Sequence, residues 1–386
     1  MPSAGAPNTP DPLVVLRLAF AFERAGHAIK AVDSPGNFTL GPPYVAVMHF
    51  AFELYLKALY VAATKKRWKR VHELDLMYAA LPEPLRASVA EGWCRARSGG
   101  ITQDHRVRAE LSRKGVPVDL LAPFATRPAF ERHLRRSSLA FVNWRYLFEG
   151  GDSSVGVVLD AMPTMRLLVP ILAAMKLPLI PQGAATAGHH ARTQPSKARP
   201  ESTVCPDPLE ILKFADDFAR ACEGIKTAMW PKLEEGREGD PQLFDPCAAL
   251  TYFTVELYLK GCYVATRKEK YPNWHRLDEL FKALPESTKD SLTEGYAKAI
   301  NPDAPIDDAA AQVYRDAEMP EFKIRQLQHR GTRADLEKEL AKAATGFVDW
   351  RYSFETKELK MGNVLPMIGR LRTLIMRHAP GPAVLC

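Results

Sequence analysis

Four polar residues stand at spacings that suit acid–base or phosphate chemistry. Glu53 and Lys57 lie four apart in ELYLK, inside an otherwise apolar run, so a helix would place them one above the other on one face. His72 follows, and a histidine with its reference pKa near neutrality suits proton transfer. Arg145 stands in FVNWRYLFE at 141–149, flanked by aromatic residues and four before Glu149. The set recurs downstream as Glu256, Lys260, His275 and Arg351, the last in FVDWRYSFE at 347–355. Charged groups in apolar helices need partners. The arginines are either half of an i,i+4 ion pair, worth about 0.3–0.5 kcal/mol to a helix, or rigidly held guanidiniums that receive a phosphate or carboxylate. The sets {Glu53, Lys57, His72, Arg145} and {Glu256, Lys260, His275, Arg351} are correspondingly either fold-specifying networks or paired sites whose shifted pKa values support acid–base work.

A basic segment precedes the first histidine: Lys65, Lys66, Arg67, Trp68, Lys69 and Arg70, five cations around one indole. That mixture suits phosphate contact with base stacking, and it equally suits a solvated loop. The second copy is weaker there, with Lys270 and Trp274 as the residues retained for nucleic-acid contact and an acid and a proline interposed. The net charge of +7 and pI near 9 permit an acidic partner without requiring one. The six cysteines form no C-x-x-C pair, and no H-E-x-x-H, glycine-rich phosphate loop, nucleophile elbow or dinucleotide fingerprint occurs. Neither a metal nor a cofactor is therefore expected. Cys222, Cys247 and Cys262 fall in apolar helical patterns and are expected as small core residues.

The elements that must position these residues come in two sets. ELYLKALYVA at 53–62 returns as ELYLKGCYVA at 256–265, ALPE at 80–83 returns at 283–286, and DPLVVL at 11–16 returns as DPLEIL at 207–212. The offset is 196 at the start, 203 through the middle and 206 near the end, the signature of a tandem duplication. A chain of 386 residues accommodates two domains, each large enough for its own core. Apolar residues recur three and four apart and no strand-like alternation is bounded by turns. The expected fold is all-α: a disordered segment at 1–10, a helical bundle over 11–180, a flexible linker over 181–206, a second bundle over 207–379 and a tail over 380–386. Helices are expected over 12–31, 44–64, 72–81, 84–96, 128–149 and 157–176, the last kinked by Pro163 and Pro170, with 97–127 and 300–331 as insertions. With no signal peptide and no uninterrupted membrane span in view, a cytoplasmic setting without a membrane partner is expected.

The E-x-x-x-K helix (Glu53, Lys57), the H-x-L that follows (His72, Leu74) and the late W-R-Y-x-x-E helix (Trp144 to Glu149) resemble the HEPN superfamily over most of both halves. The resemblance implies a small helical bundle that pairs with a second one, here as a pseudo-dimer within one chain, with further homodimerisation open. It implies a metal-independent endoribonuclease of an anti-phage defence or toxin–antitoxin system, with RNA as substrate and an antitoxin or other protein as partner. The signature it implies is an arginine followed, four to six residues on, by a histidine that acts as acid–base while the arginine stabilises the phosphate. Arg67 and His72 have four residues between them; Lys270 stands at the second copy's arginine position, and Glu149 and Glu355 stand where a late-helix histidine would fall. The other reading is a non-catalytic helical module that binds protein or nucleotide.

Overall fold

The computed structural model describes residues 9–33, 40–68, 73–103, 126–145, 161–175, 205–230, 239–271, 274–300, 331–344 and 368–378. The expected linker, apart from its last two residues, and most of the two expected insertions lie outside them. The protein is all-α, and among the described residues no strand occurs. The chain divides into two compact units. One comprises Met1–Glu201 with Ala228–Trp230 and Arg237–Leu243; the other comprises Ser202–Thr227, Pro231–Gly236 and Phe244–Cys386.

In the first unit the helices are α1 Pro12–Val32, α2 Gly41–Thr64, α3 Leu74–Ala79, α4 Glu83–Gln103, α5 Arg127–Arg145 and α6 Met162–Ala174. In the second half they are α7 Pro208–Met229, a 3₁₀ turn Pro241–Leu243, α8 Phe244–Arg267, α9 Leu277–Lys282, α10 Glu286–Ile300, α11 Arg333–Lys342 and α12 Ile368–His378. α1 starts where Asp11 accepts a hydrogen bond from the Leu13 amide at 2.9 Å, with Pro12 in the first turn, where the missing N–H costs nothing. Asp207 does the same for Leu209 at 2.9 Å ahead of α7.

Each bundle is built around its most apolar helix. α2 is buried on nearly every side, and so is α8. By length and composition α2 could cross a membrane, but 94% of its most apolar window is buried inside the protein. Such all-round burial is what an apolar circumference requires. α1 covers α2 through an edge-to-face pair, Phe22 and Phe50, with ring centroids 5.8 Å apart. α7 covers α8 through the matching Phe218 and Phe253 at 4.9 Å. α6 closes the first core with Met162, Met165, Val169 and Leu172; α12 closes the second with Leu371, Leu374 and Ile375. Trp93 and Tyr296 occupy equivalent places on α4 and α10, both fully buried. Cys222, Cys247 and Cys262 are buried free thiols within the second core.

Several boundaries differ from those read in the sequence. α4 runs on through Gly99 and Gly100 to Gln103, well into the stretch expected as an insertion, with buried Trp93 at its middle. Pro163 does not kink α6: it sits in the first turn, and only Pro170 lies inside the helix. α3 begins at Leu74 behind Glu73, and α9 at Leu277 behind Arg276, so His275 precedes its helix and does not open it.

Candidate functional site

The ELYLK repeat positions two buried ion pairs. Lys57 Nζ lies 3.0 Å from Glu53 Oε1, and Lys260 Nζ lies 2.9 Å from Glu256 Oε1. All four side chains are at most 3% exposed. Four-residue spacing on a helix aligns them, and the apolar surroundings leave each charge dependent on its neighbour. In the second unit the set continues outward. His275 Nδ1 is 2.9 Å from the same Glu256 oxygen that holds Lys260, and the Lys260 ammonium lies 4.8 Å from the centre of the Tyr271 ring. Opposite a carboxylate, Nδ1 carries the proton, and in the neutral ring Nε2 is then the acceptor. The imidazole is 40% exposed, so the arrangement links a buried carboxylate to a surface base. Glu256, Lys260 and His275 thus come together as anticipated. Glu53 and Lys57 do so as well, but His72, Arg351 and the side chain of Arg145 lie outside the described residues.

The basic segment is divided in its duties. Lys65 ends α2 in the left-handed region at φ 54°, its amide bonded to Val61 O at 2.9 Å. Its ammonium donates to Leu172 O at 3.0 Å, where the last turn of α6 presents carbonyls and negative dipole. Lys268 repeats the arrangement at φ 59°, with its ammonium on the His378 carbonyl of α12. Trp68 is 8% exposed and packs edge-to-face on Tyr60 at 4.4 Å, so its indole belongs to the bundle. At the offset of 203 its counterpart is buried Tyr271, not Trp274, which is 42% exposed. Lys66 and Arg67 are exposed and Lys270 is half-buried; Lys69 and Arg70 lie outside the described residues.

Two features were missed in the sequence. The first is a tyrosine, carboxylate and arginine set in each unit. Tyr55 donates to Glu23 Oε2 at 2.5 Å, and Arg166 of α6 reaches Glu23 Oε1 at 2.7 Å. Tyr258 donates to Asp216 Oδ1 at 2.5 Å, and Arg372 of α12 reaches Asp216 Oδ2 at 3.0 Å. Burial first, then the neighbouring carboxylate, pushes both phenols far above their ordinary range. The second is a basic face on α5. Arg132, Arg135 and Arg136 are exposed, share a helix face through i,i+3 and i,i+4 spacing, and make no ion pair among the described residues. His133 lies beside them, half-buried, with its ring 5.9 Å from that of Trp93. Burial, followed by the charges of Arg136, Arg97 and Arg132, holds its pKa below the ordinary value. Five residues separate Arg127 from His133 on α5. Arg127 itself is engaged by Glu83 and by Glu131 at 3.0 Å. The equivalent positions on α11 are Lys338, Glu339, Ala341 and Lys342, and Lys342 pairs with Glu339 at 2.5 Å.

Chemically, the second unit presents an imidazole oriented by a buried carboxylate, and the first presents a guanidinium cluster suited to phosphate oxygens. Among the described residues no group of His, Cys, Asp and Glu is placed to hold a metal ion. In comparisons with known proteins, no family model, no curated protein and no solved structure matches the chain.

Proposed function

We propose that this chain is a HEPN-like RNA-binding protein whose first unit holds the phosphate backbone along α5. The observation that carries the reading is the trio Arg132, Arg135 and Arg136: three exposed guanidiniums on one helix face, with no ion pair among the described residues. Elsewhere in the described chain several arginines are paired with carboxylates, as Arg127 is with Glu83 and Arg333 with Glu286. Guanidiniums left over at helical spacing match successive phosphate oxygens, and release of the condensed counterions supplies the affinity. The second unit, with Glu339 where the first has His133, plays the lesser part in that contact.

The test is fluorescence anisotropy of the full chain with a labelled single-stranded RNA across a salt series. Binding should weaken steeply with salt. Replacing Arg132, Arg135 and Arg136 together by alanine should make the log–log salt slope shallower by about 2. Binding that ignores salt, or ignores the triple replacement, would sink the reading. Metal-independent cleavage is the second reading, favoured by His275 with Nδ1 held by Glu256 and by the Arg127-to-His133 spacing. It requires that RNA be cut in EDTA and that His275→Ala or His133→Ala abolish the cut while leaving binding in place.

A further inference from the structure

We propose that the outer face of α6 is a docking surface for an acidic amphipathic helix of another protein. α6 already buries Met162, Met165, Val169 and Leu172 in its own core, so its packing duty is met. Yet Leu167, Ile171 and Met175, four apart, form a second apolar stripe that is 70%, 62% and 41% exposed. The duplication shows that the bundle does not need it: α12 places Thr373 and Arg377 at the positions of Leu167 and Ile171. Beside the stripe lies a cavity of about 480 Å³, bounded by the start of α1 at Pro10–Leu13 and by Pro170 and Ala174 of α6. A stripe at this spacing next to a concave socket is the form that receives the i, i+4 and i+7 side chains of a helix.

Charge selects the occupant. Lys65 lines the cavity, exposed Lys66 follows it, and Arg17 stands one turn beyond exposed Val14 on α1. Neither Lys66 nor Arg17 makes an ion pair among the described residues. The one carboxylate lining the cavity, Asp11, is occupied in capping α1. A second copy of this chain, with net charge +7, would bring like charges together at such a rim. An acidic helix would satisfy the cations while covering the apolar stripe. The inference concerns a face of the first unit other than the α5 arginines, so it stands or falls apart from RNA binding.

The test is a selection against the full chain from a displayed library of randomised helical peptides of about 15–20 residues, long enough for an isolated helix to form. Recovered peptides should be net acidic, with apolar residues at i, i+4 and i+7. The variant Leu167→Thr with Ile171→Arg installs the residues the second half carries, so it should melt as the parent does. It should bind the recovered peptides at least tenfold more weakly, the loss expected when two aliphatic contacts go. No recovered peptide, basic or neutral peptides, or equal binding by the variant would overturn the proposal. So would self-association of the parent that the variant abolishes, which assigns the face to a second copy. Binding to phosphatidylglycerol vesicles that the variant alone loses would assign it to a membrane surface and likewise overturn it.

Discussion

Glu256 holds Lys260 at 2.9 Å in a core where each side chain is 1% exposed. In such a place the pair is less a source of stability than a mutual obligation. Removing one partner strips the other buried charge of its nearest counter-charge, a loss of up to about 3–5 kcal/mol, whereas replacing both by apolar residues of similar volume costs little or stabilises. Glu256→Gln and Lys260→Met should each lower the denaturation midpoint strongly, and Glu256→Leu with Lys260→Met should recover most of it. The same contrast should hold for Glu53 and Lys57, 3.0 Å apart. Urea unfolding of the single and double variants measures the coupling. Additive effects would show that the charges are independently solvated.

Tyr55→Phe and Tyr258→Phe each remove one hydroxyl that donates to a carboxylate at 2.5 Å, without changing ring volume. A hydrogen bond to a charged group contributes about 1.5–3 kcal/mol, and each variant should lose an amount in that range. Arg166 and Arg372 remain to hold Glu23 and Asp216, so the loss should stay below that of Glu256→Gln. Calorimetric melting of the two variants compares the units directly.

These two sets show where the sequence was legible and where it was not. The ELYLK pairs were readable because partner and spacing lie within one helix and recur at one offset. Tyr55 and Tyr258 recur at that offset too, but their carboxylates do not. At the offset of 196, the counterpart of Glu23 is Ala219, and the second unit supplies Asp216 instead, three residues earlier on α7. A helix returns to nearly the same face after that step, so the contact survives while the alignment loses it. The α5 arginines escape notice for the opposite reason. Arg132, Arg135 and Arg136 have no arginine counterparts on α11, and weighing only what both copies share hides what one copy alone does. The basic segment at 65–70 misleads because composition does not say which cations are already engaged. Lys65 caps α6, and Trp68 is buried on Tyr60.

The second core should weaken at alkaline pH. Burial raises the thiol of Cys247 to about 11 and those of Cys222 and Cys262 to about 12, from an ordinary value of 9.0. A raised acid binds its proton more tightly in the folded chain, so between pH 9 and 11 the unfolded chain carries fewer protons and the slope of stability with pH is negative. Stability from these thiols is fully present below pH 9 and is lost as pH rises through 9 toward 12. Denaturation midpoints measured from pH 8 to 11 should fall. Replacing the three cysteines by alanine, at a cost in packing, should flatten that fall. A parent whose stability is level across this interval would show that the thiols are not shielded from solvent.

Close approach of α6 to α4, and of α12 to α10, depends in each case on a glycine. A Cβ built on Gly92 would overlap Thr164 Oγ1 and lie 2.6 Å from Thr164 Cβ; one on Gly295 would lie 2.6 Å from Arg370 Cβ. Thr164 and Arg370 are equivalent positions at the offset of 206, so both copies use the missing side chain to seat α6 or α12. Alanine gains about 1 kcal/mol over glycine in a helix interior, but overpacking costs about 1–3 kcal/mol. At contacts this short overpacking outweighs helix propensity, and Gly92→Ala should destabilise. Thr164→Ala removes Oγ1 and Cγ2 but leaves Cβ, so it should rescue Gly92→Ala in part. Gly295→Ala should be harder to rescue, because the atoms it meets begin with Arg370 Cβ and Cγ, and Arg370 also donates to Ser291 O at 3.1 Å. Melting temperatures of the two glycine variants and of Gly92→Ala with Thr164→Ala decide the matter. A stabilised Gly92→Ala would mean that α6 can move away from α4 at no cost.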